Sequence, residues 1–213
     1  MMREKLKKAY EQNGSLPVAF LDETYRTAEE AEDGLAFYVV TAILIRPAHF
    51  ESIRGDLQEI VGGRYWHTTE NLVTEQGRNI AREMSAYLGE GDEPCVFSSK
   101  MSTDREDAET LREKCLLTLM KELNSIPLLG KHCVDLFVLE ARRGKTLRAR
   151  DQKTMSEARR KQLVRRSAQL LQVSPSDENL LWLPDLASSA MRQKLSHGNT
   201  EYLEAFKHNV REL

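Results

Sequence analysis

Cysteine is scarce in this chain, and the positions of the few that occur exclude two frequent roles. The 213 residues include three cysteines, which are odd in number, widely separated and without a Cys-x-x-Cys pair: Cys95, Cys115 and Cys133. A disulfide framework or a zinc knuckle requires paired or closely spaced cysteines. Each of the three lies among apolar residues, so we expect buried free thiols and no catalytic cysteine.

Long apolar runs and targeting signals are also missing. The longest apolar run, from Leu35 to Ile45, is too short to cross a bilayer as a helix, which needs about 20 residues. The basic segment from Met1 to Tyr10 has no apolar h-region behind it, so no secretory signal is predicted. We therefore expect a soluble, cytoplasmic protein that does not enter a membrane.

Three glycine-containing signatures of cofactor binding and catalysis are absent as well. The chain has no Gly-x-Gly-x-x-Gly dinucleotide motif, no Gly-x-x-x-x-Gly-Lys-Ser/Thr phosphate loop and no Gly-x-Ser-x-Gly nucleophile elbow. No nucleotide cofactor is therefore expected. An enzyme that holds a small molecule in a cleft at the end of a sheet is left open.

The composition provides enough apolar material for a sizeable core. Forty per cent of the residues are hydrophobic, and the length suits a single domain over residues 1–213, with or without extensions at its termini. The net charge is −2, although 30% of the residues are charged. Local asymmetry of charge therefore matters more than the sum.

Short apolar strands and amphipathic helices follow one another along the chain. Strands are predicted at 18–21, 35–45, 95–98, 133–139 and 180–184, the first two forming a hairpin with Asp22 near its turn. Helices are predicted at 1–13, 47–60, 72–88, 142–172, 186–195 and 201–213, and between an N-cap at Ser102, Thr103 and Asp104 and a break at 124–130. This order predicts an α/β domain with a mixed central sheet flanked by helices.

Three predicted strands end in an acidic residue, at Asp22, Glu140 and Asp185. Sites form at the carboxyl ends of strands in open α/β sheets, and three carboxylates gathered there repel one another unless a cation is present. Mg²⁺ suits such ligands, and two ions could stabilise the attacking and leaving oxygens of a phosphoryl transfer. In the plainer interpretation the strands simply end in solvent. Asp22 is favoured over Glu23 as a ligand, because adjacent strand residues point to opposite sides.

Five strings in the chain occur in a characteristic order. They are Leu21-Asp22-Glu23-Thr24, Phe37 to Ala42, Trp66-His67-Thr68-Thr69-Glu70, Phe137-Val138-Leu139-Glu140 and Leu183-Pro184-Asp185-Leu186-Ala187. In this order they resemble an uncharacterised ribonuclease-H-like family, domain of unknown function 3800, whose members open with an apolar strand ending in Asp-Glu-Ser-Gly. The resemblance extends over most of the chain, from about residue 17 to residue 196, and so implies a core over this range with helical extensions at both termini.

This resemblance implies a ribonuclease-H-like fold, a three-layer α/β domain, with a nuclease site at Asp22, Glu140 and Asp185 that uses Mg²⁺ or Mn²⁺. The chain departs from the family pattern in three places: Thr24-Tyr25 replaces Ser-Gly, Glu140 stands where Asp is more usual, and Pro184 replaces Ala. The last two could displace a ligand by about an ångström, which is enough to impair catalysis. A catalytically inactive protein of the same fold is therefore the alternative.

His67 and Glu70 follow the aromatic pair Tyr65-Trp66 and are the next candidates. His67 could move a proton or orient a phosphate, and Glu70 could complete the metal site. In the plainer interpretation, His67 packs beside the two aromatic residues with its hydrogen bonds satisfied.

Positive charge is concentrated between Arg142 and Arg166, where eleven basic residues are opposed only by Asp151 and Glu157. This segment follows the strand that ends in Glu140 and should flank the proposed site, so we predict a surface that contacts nucleic-acid phosphates. A solvated helix face would explain the same charges. The candidate contacts are Arg142, Arg143, Lys145, Arg148, Arg159 and Arg165.

The leading functional prediction is a Mg²⁺- or Mn²⁺-dependent nuclease, or a related phosphoryl-transfer enzyme, that acts on DNA or RNA. The alternative is a non-catalytic module of the same fold that binds nucleic acid or a protein partner and needs no metal. Either of these two proteins could form a homodimer.

Overall fold

The computed structural model describes residues 2–31, 34–102, 106–125 and 133–213. The N-cap predicted at Thr103 and Asp104, and most of the predicted break at 124–130, lie outside these ranges. The helices and strands are α1 (Met2–Asn13), β1 (Val18–Arg26), β2 (Ala36–Ile45), α2 (Phe50–Ile60), α3 (Thr68–Asn71), α4 (Glu75–Glu90), β3 (Cys95–Ser102), α5 (Ala108–Ser125), β4 (Leu136–Glu140), α6 (Lys145–Arg160), β5 (Gln169–Val173), α7 (Trp182–His197), α8 (Glu201–Phe206) and β6 (Val210–Glu212), with 3-10 turns at Pro47–His49, Asn179–Leu181 and Lys207–Asn209.

The strands form one mixed sheet in the order β5-β4-β1-β2-β3-β6. The pairs β1–β2 and β2–β3 are antiparallel, whereas β1–β4, β4–β5 and β3–β6 are parallel. The hairpin predicted for the first two strands is confirmed, but the predicted position of Asp22 near its turn is wrong. Asp22 lies in the middle of β1 opposite Thr41, whereas the pair next to the turn is Arg26 and Phe37. β1 lies near the middle of the sheet and therefore has neighbours from both an early and a late part of the chain.

Helices cover both faces of the sheet, which gives three layers and confirms the predicted α/β class with a mixed central sheet. One face carries α1, α2, α4, α7 and α8, packed on side chains that include Phe20 and Val138. The other carries α5 and α6, packed on side chains that include Leu21 and Phe137. Successive strand residues point to opposite faces, so each strand contributes to both cores.

The most apolar stretch of the sequence becomes a central strand. Every residue of β2 is buried, as expected where both faces of a sheet are covered. Among the described residues, no helix is both long and apolar enough to span a membrane. The predicted thiols are confirmed as free, with Cys95 and Cys115 buried and Cys133 half-buried.

The strand predicted at 180–184 is wrong. A 3-10 turn covers Asn179–Leu181, and α7 begins at Trp182. A short apolar run does not by itself distinguish a strand from a buried helix. Pro184 is tolerated because it lies in the first helical turn, where its missing N–H is not needed. Asp185 is therefore contributed by a helix and not by the end of a strand.

The ends of two other predicted helices are also wrong. The basic helix predicted to reach Gln172 ends at Arg160. Two residues later, Gln162 adopts a left-handed backbone conformation with φ of 56°. The chain then forms β5. The helix predicted at 201–213 is divided into α8 and β6, and β6 pairs with β3. The C-terminal segment therefore completes the sheet and is not a helical extension.

Candidate functional site

Asp22 and Glu140 lie side by side on neighbouring parallel strands. The pairing of β1 with β4 ends where Leu21 lies opposite Leu139, and each acid is the next residue of its strand. The residues two positions earlier in both strands face the layer that contains α7, so alternation turns both acids toward that layer. β1 itself continues to Arg26 along β2. Asp22 therefore marks the end of the parallel pairing, not the end of its strand as predicted.

Asp185 approaches the same layer from the first turn of α7. Its Oδ2 accepts a hydrogen bond of 2.8 Å from the backbone N–H of Thr68, which joins α7 to the start of α3. One turn later, the Ser188 hydroxyl donates a hydrogen bond of 2.7 Å to the hydroxyl of Thr41. Thr41 is the partner of Asp22 in the β1–β2 pairing. These two bonds hold the start of α7 beside the strand that carries Asp22.

The three carboxyl groups lie close enough to influence each other's ionisation. Burial raises the pKa of Asp22 well above its usual range, and the negative charges of Asp185 and Glu140 raise it further. The nearby charge of Arg112 opposes this rise. Burial and the charge of Asp185 also raise the pKa of Glu140. Burial raises the pKa of Asp185 as well, although its hydrogen bonds with Thr68 oppose the effect.

His67 stands beside two of these acids. Its charge opposes the rise in the pKa of both Glu140 and Asp185. The side chain is half-buried, and its Nδ1 is buried without a hydrogen-bond partner in the part of the chain that the structure describes. The plainer interpretation, in which the hydrogen bonds of His67 are satisfied, therefore fails at Nδ1. A buried ring nitrogen left in this way is uncommon and is available to a ligand or a proton.

Glu70 lies on the exposed side of α3. Its negative charge contributes to the raised pKa of Asp185, so it is near the acids without being enclosed among them. The structure thus brings together the five residues predicted for catalysis and metal binding, with Glu70 at the solvent side. These are Asp22, His67, Glu70, Glu140 and Asp185.

The donor set suits a hard divalent cation, although it does not form a closed cage. No group of three or more His, Cys, Asp or Glu side chains in the described ranges is arranged so that it could hold a metal ion. Mg²⁺ commonly binds one or two carboxylates directly and keeps several of its waters. The residues present fit this looser mode, because they offer oxygen donors whose mutual repulsion a cation would reduce.

Glu23 points to the other side of β1, as predicted, and joins a buried ion-pair network. It contacts Arg112 of α5, which is 2% exposed. Arg112 also donates from Nε to Oδ1 of Asp151 at 2.9 Å and from Nη1 to the Tyr38 hydroxyl at 3.0 Å. Arg142 lies 3.8 Å from both Glu23 and Asp151. Arg142, predicted to contact nucleic acid, is thus engaged by carboxylates within the protein.

Three other predicted nucleic-acid contacts lie at the start of α6. Arg143, Lys145 and Arg148 come directly after the strand that ends at Glu140. All three are exposed, and none forms an ion pair with a described residue. Their charges are therefore available to a ligand near the three carboxyl groups.

Arg159 and Arg165 lie at the far end of the same segment, which contradicts the prediction that the whole segment flanks the site. β5 runs parallel to β4, so the first residues of β5 lie beside the start of β4. Glu140 lies at the opposite end of the same two strands. Near the start of β5, Arg159 donates to the backbone oxygen of Ala168 at 2.8 Å from Nε, and Nη1 of Arg165 lies 3.5 Å from Oδ2 of Asp135. The error follows from extending the basic helix too far.

Tyr65 belongs to the site, although its sequence context predicted only an aromatic stretch. Its side chain is 50% exposed, and its ring meets that of Trp182 edge to face, with 6.3 Å between centroids. Burial raises its pKa, and the charges of Glu140 and Asp185 raise it further. The available sequence signal was an aromatic residue two positions before a candidate histidine, His67.

Comparisons with protein-family models, with curated proteins and with solved structures found no match for this chain. The ribonuclease-H-like resemblance therefore rests on the short strings and their order. A function for this chain has to be inferred from the geometry of its own residues.

Proposed function

We propose that the chain is a divalent-metal-dependent nuclease of the ribonuclease-H-like type, or a related phosphoryl-transfer enzyme, that acts on nucleic acid. One observation supports this most strongly. Asp22, Glu140 and Asp185 come from distant parts of the chain, approach one face of the sheet and have raised pKa values. Acids held together with perturbed pKa values are typical of functional sites.

The carboxylates would provide the cation site and the histidine the proton chemistry. Asp22 and Glu140 would hold Mg²⁺ or Mn²⁺ directly or through water, with Asp185 as the third acid. The cation would stabilise negative charge on the transferring phosphoryl group. His67, whose Nδ1 has no partner among the described residues, would hold a proton near the phosphate or accept one from the attacking water. Glu70 would act from the solvent side.

The substrate backbone would lie along the start of α6. Arg143, Lys145 and Arg148 are exposed and follow directly after Glu140. Such cations bind phosphates through charge, with a strength that falls as the salt concentration rises. Phosphates carry the same charge in DNA and RNA, so the tests use both.

Incubation with Mn²⁺ and a mixture of DNA and RNA tests the catalytic proposal. We expect cleavage, and we expect Asp22→Asn and Asp185→Asn to reduce it by about 100-fold or more, because each removes a charge that stabilises the transition state through the cation. Asp92→Asn is the matched control, since Asp92 is exposed and lies just before β3, which β2 separates from the strand that carries Asp22. Cleavage that persists unchanged in both site variants would contradict the assignment.

Cation binding is measured separately by thermal melting. Mn²⁺ should raise the melting temperature of the wild-type protein, because a ligand that binds only the folded state stabilises it. The increase should be smaller in Asp22→Asn and unchanged in Asp92→Asn.

A non-catalytic binding module of the same fold is the second candidate. It is favoured by the lack of a preassembled metal group in the described ranges. It predicts salt-dependent binding of nucleic acid, no turnover with Mg²⁺ or Mn²⁺, and no effect of either cation on the melting temperature.

A further inference from the structure

Tyr65 presents an aromatic ring at the edge of the acidic site. Its side chain is 50% exposed, whereas Trp182, which it contacts, is 3% exposed. The two rings are perpendicular, with an interplanar angle of 90°. In an edge-to-face contact, either the edge or a single face of the tyrosine meets its neighbour. At least one face of the Tyr65 ring is therefore not covered by Trp182.

The backbone on both sides of this contact is held firmly. Trp66, the next residue, is 1% exposed and donates from Nε1 to the Thr68 hydroxyl at 2.8 Å. The Thr68 N–H in turn bonds Asp185, and Trp182 lies one turn before Asp185 in α7. Tyr65 thus occupies a defined position relative to the carboxylates, as a binding residue must.

Two side-chain nitrogens near the Tyr65 ring lack a hydrogen-bond partner among the described residues. They are Nε1 of Trp182 and Nδ1 of His67, and both are buried. The negative charges of Glu140 and Asp185 both act on the Tyr65 hydroxyl. A half-exposed aromatic ring beside acids and beside nitrogens without described partners suits a ligand with two parts. One part would be flat and aromatic, and a cation would bridge the other to the carboxylates.

We propose that Tyr65 is a stacking platform for an unpaired base of the nucleic-acid substrate, next to the phosphate that the three carboxylates would hold through a cation. The inference rests on the proposed function, since it positions a base relative to the reacting phosphate. A base within a duplex is stacked on both faces, whereas an unpaired base can stack on an aromatic side chain. The substrate class is therefore single-stranded or locally unpaired nucleic acid.

Binding of a fluorescent ten-nucleotide thymidine strand, measured by anisotropy with Ca²⁺ as the cation, tests the platform. Loss of one stacking contact is worth about 1–3 kcal/mol, so Tyr65→Ala should weaken binding by roughly 5- to 150-fold. Tyr65→Phe keeps the ring face and should change binding by less than about twofold. Binding of a fully paired duplex of the same length should not depend on Tyr65.

Tyr25→Ala is the matched control. Tyr25 is 43% exposed but stacks on Tyr38, on the α5 side of the sheet. Its removal should leave binding of the single strand unchanged. Melting curves of all variants verify that they remain folded.

A series of strands, each with one abasic nucleotide at a different position, identifies the base that contacts Tyr65. One position should weaken binding to the wild-type protein and have no effect on Tyr65→Ala, because the two changes remove the same interaction. Equal weakening of single strand and duplex by Tyr65→Ala would overturn the inference, as would no weakening at all. Asp22-dependent cleavage together with such a result would support the proposed nuclease and reject the stacking role of Tyr65. Tyr65-dependent binding of the single strand without any cleavage would reject catalysis and support the stacking role.

Discussion

At the scale of single residues, the carboxyl groups of the site oppose the stability of the fold. Burial holds the pKa values of Asp22, Glu140 and Asp185 above their usual range, with neighbouring negative charge adding to the effect. The folded state therefore binds more protons than the unfolded chain at pH values between the ordinary and the raised pKa. It follows that the free energy of unfolding falls as the pH rises from about 4 through this window. At neutral pH and without a cation, these acids destabilise the protein.

Removing one of these charges should stabilise the metal-free protein. We expect Asp22→Asn to raise the free energy of unfolding at pH 7 by about 0.5–2 kcal/mol, the gain that a single stabilising substitution commonly gives. The gain should shrink toward pH 4, where the wild-type group is already protonated. Melting curves in the presence of a chelator at the two pH values measure this, with Asp92→Asn as the control. A lower melting temperature of Asp22→Asn at pH 7 would contradict the expectation.

At the scale of elements, β1 separates two differently charged environments. Asp22 faces α7, and Glu23 faces α5 and α6, where Arg112 and Asp151 are buried. Asp151 accepts hydrogen bonds from Arg112 and, at 2.7 Å, from Gln172 of β5. This network ties the two helices of one layer to the sheet just behind the candidate site. Removing one partner from a buried ion pair leaves an uncompensated charge, so the network should be sensitive to single substitutions.

Asp151→Ala tests that sensitivity. Because it leaves Arg112 buried with less compensation, we expect a loss of about 3 kcal/mol in the free energy of unfolding, measured with urea. Glu157→Ala on the same helix removes a surface pair with Lys161 and should leave the free energy of unfolding nearly unchanged, because solvent screens exposed ion pairs. A similar, small effect of both substitutions would show that the network contributes little.

At the scale of the whole molecule, the positive charge of the basic segment is divided between the two opposite ends of the strands β4 and β5. α6 has 16 residues, so its ends are separated by about 24 Å. Arg143, Lys145 and Arg148 lie at the end near Glu140. Arg165 and Arg166 follow the other end, before β5 begins. Of the two groups, the first lies at the end that carries Glu140, so under the proposed function it is the one that would hold the substrate.

Charge reversal at the two ends should therefore have different effects on nucleic-acid binding. We expect Lys145→Glu with Arg148→Glu to weaken binding and to reduce the dependence of log K on log salt by about one for each phosphate that the protein no longer neutralises. Arg165→Glu with Arg166→Glu serves as the paired control and should leave the slope unchanged. Equal effects of the two double variants would indicate a diffuse electrostatic surface.

Much of the architecture was predictable because its signals are local. Two apolar runs in close succession indicated the first hairpin. Apolar residues spaced four apart also predict one buried face for α5, which the structure confirms at Leu111, Cys115 and Leu119. The strand assignment failed where an apolar run was short, at 180–184, and the helical assignment failed after Arg160, where amphipathic spacing continued into β5. In both places, pairing partners or packing surfaces elsewhere in the chain decide the local conformation.

The sequence by itself determined which side chains carry charge and that Asp22 and Glu140 belong to strands, and the order of its short strings indicated these two acids and Asp185 as one set. Only the tertiary structure decided that Asp185 comes from a helix, that Arg142 and Arg165 are engaged by carboxylates, and that Tyr65 stands beside the site. The physical reason is that burial, ionisation and ion pairing depend on neighbours distant in the chain, and these neighbours are defined only once the sheet and its two helical layers have assembled.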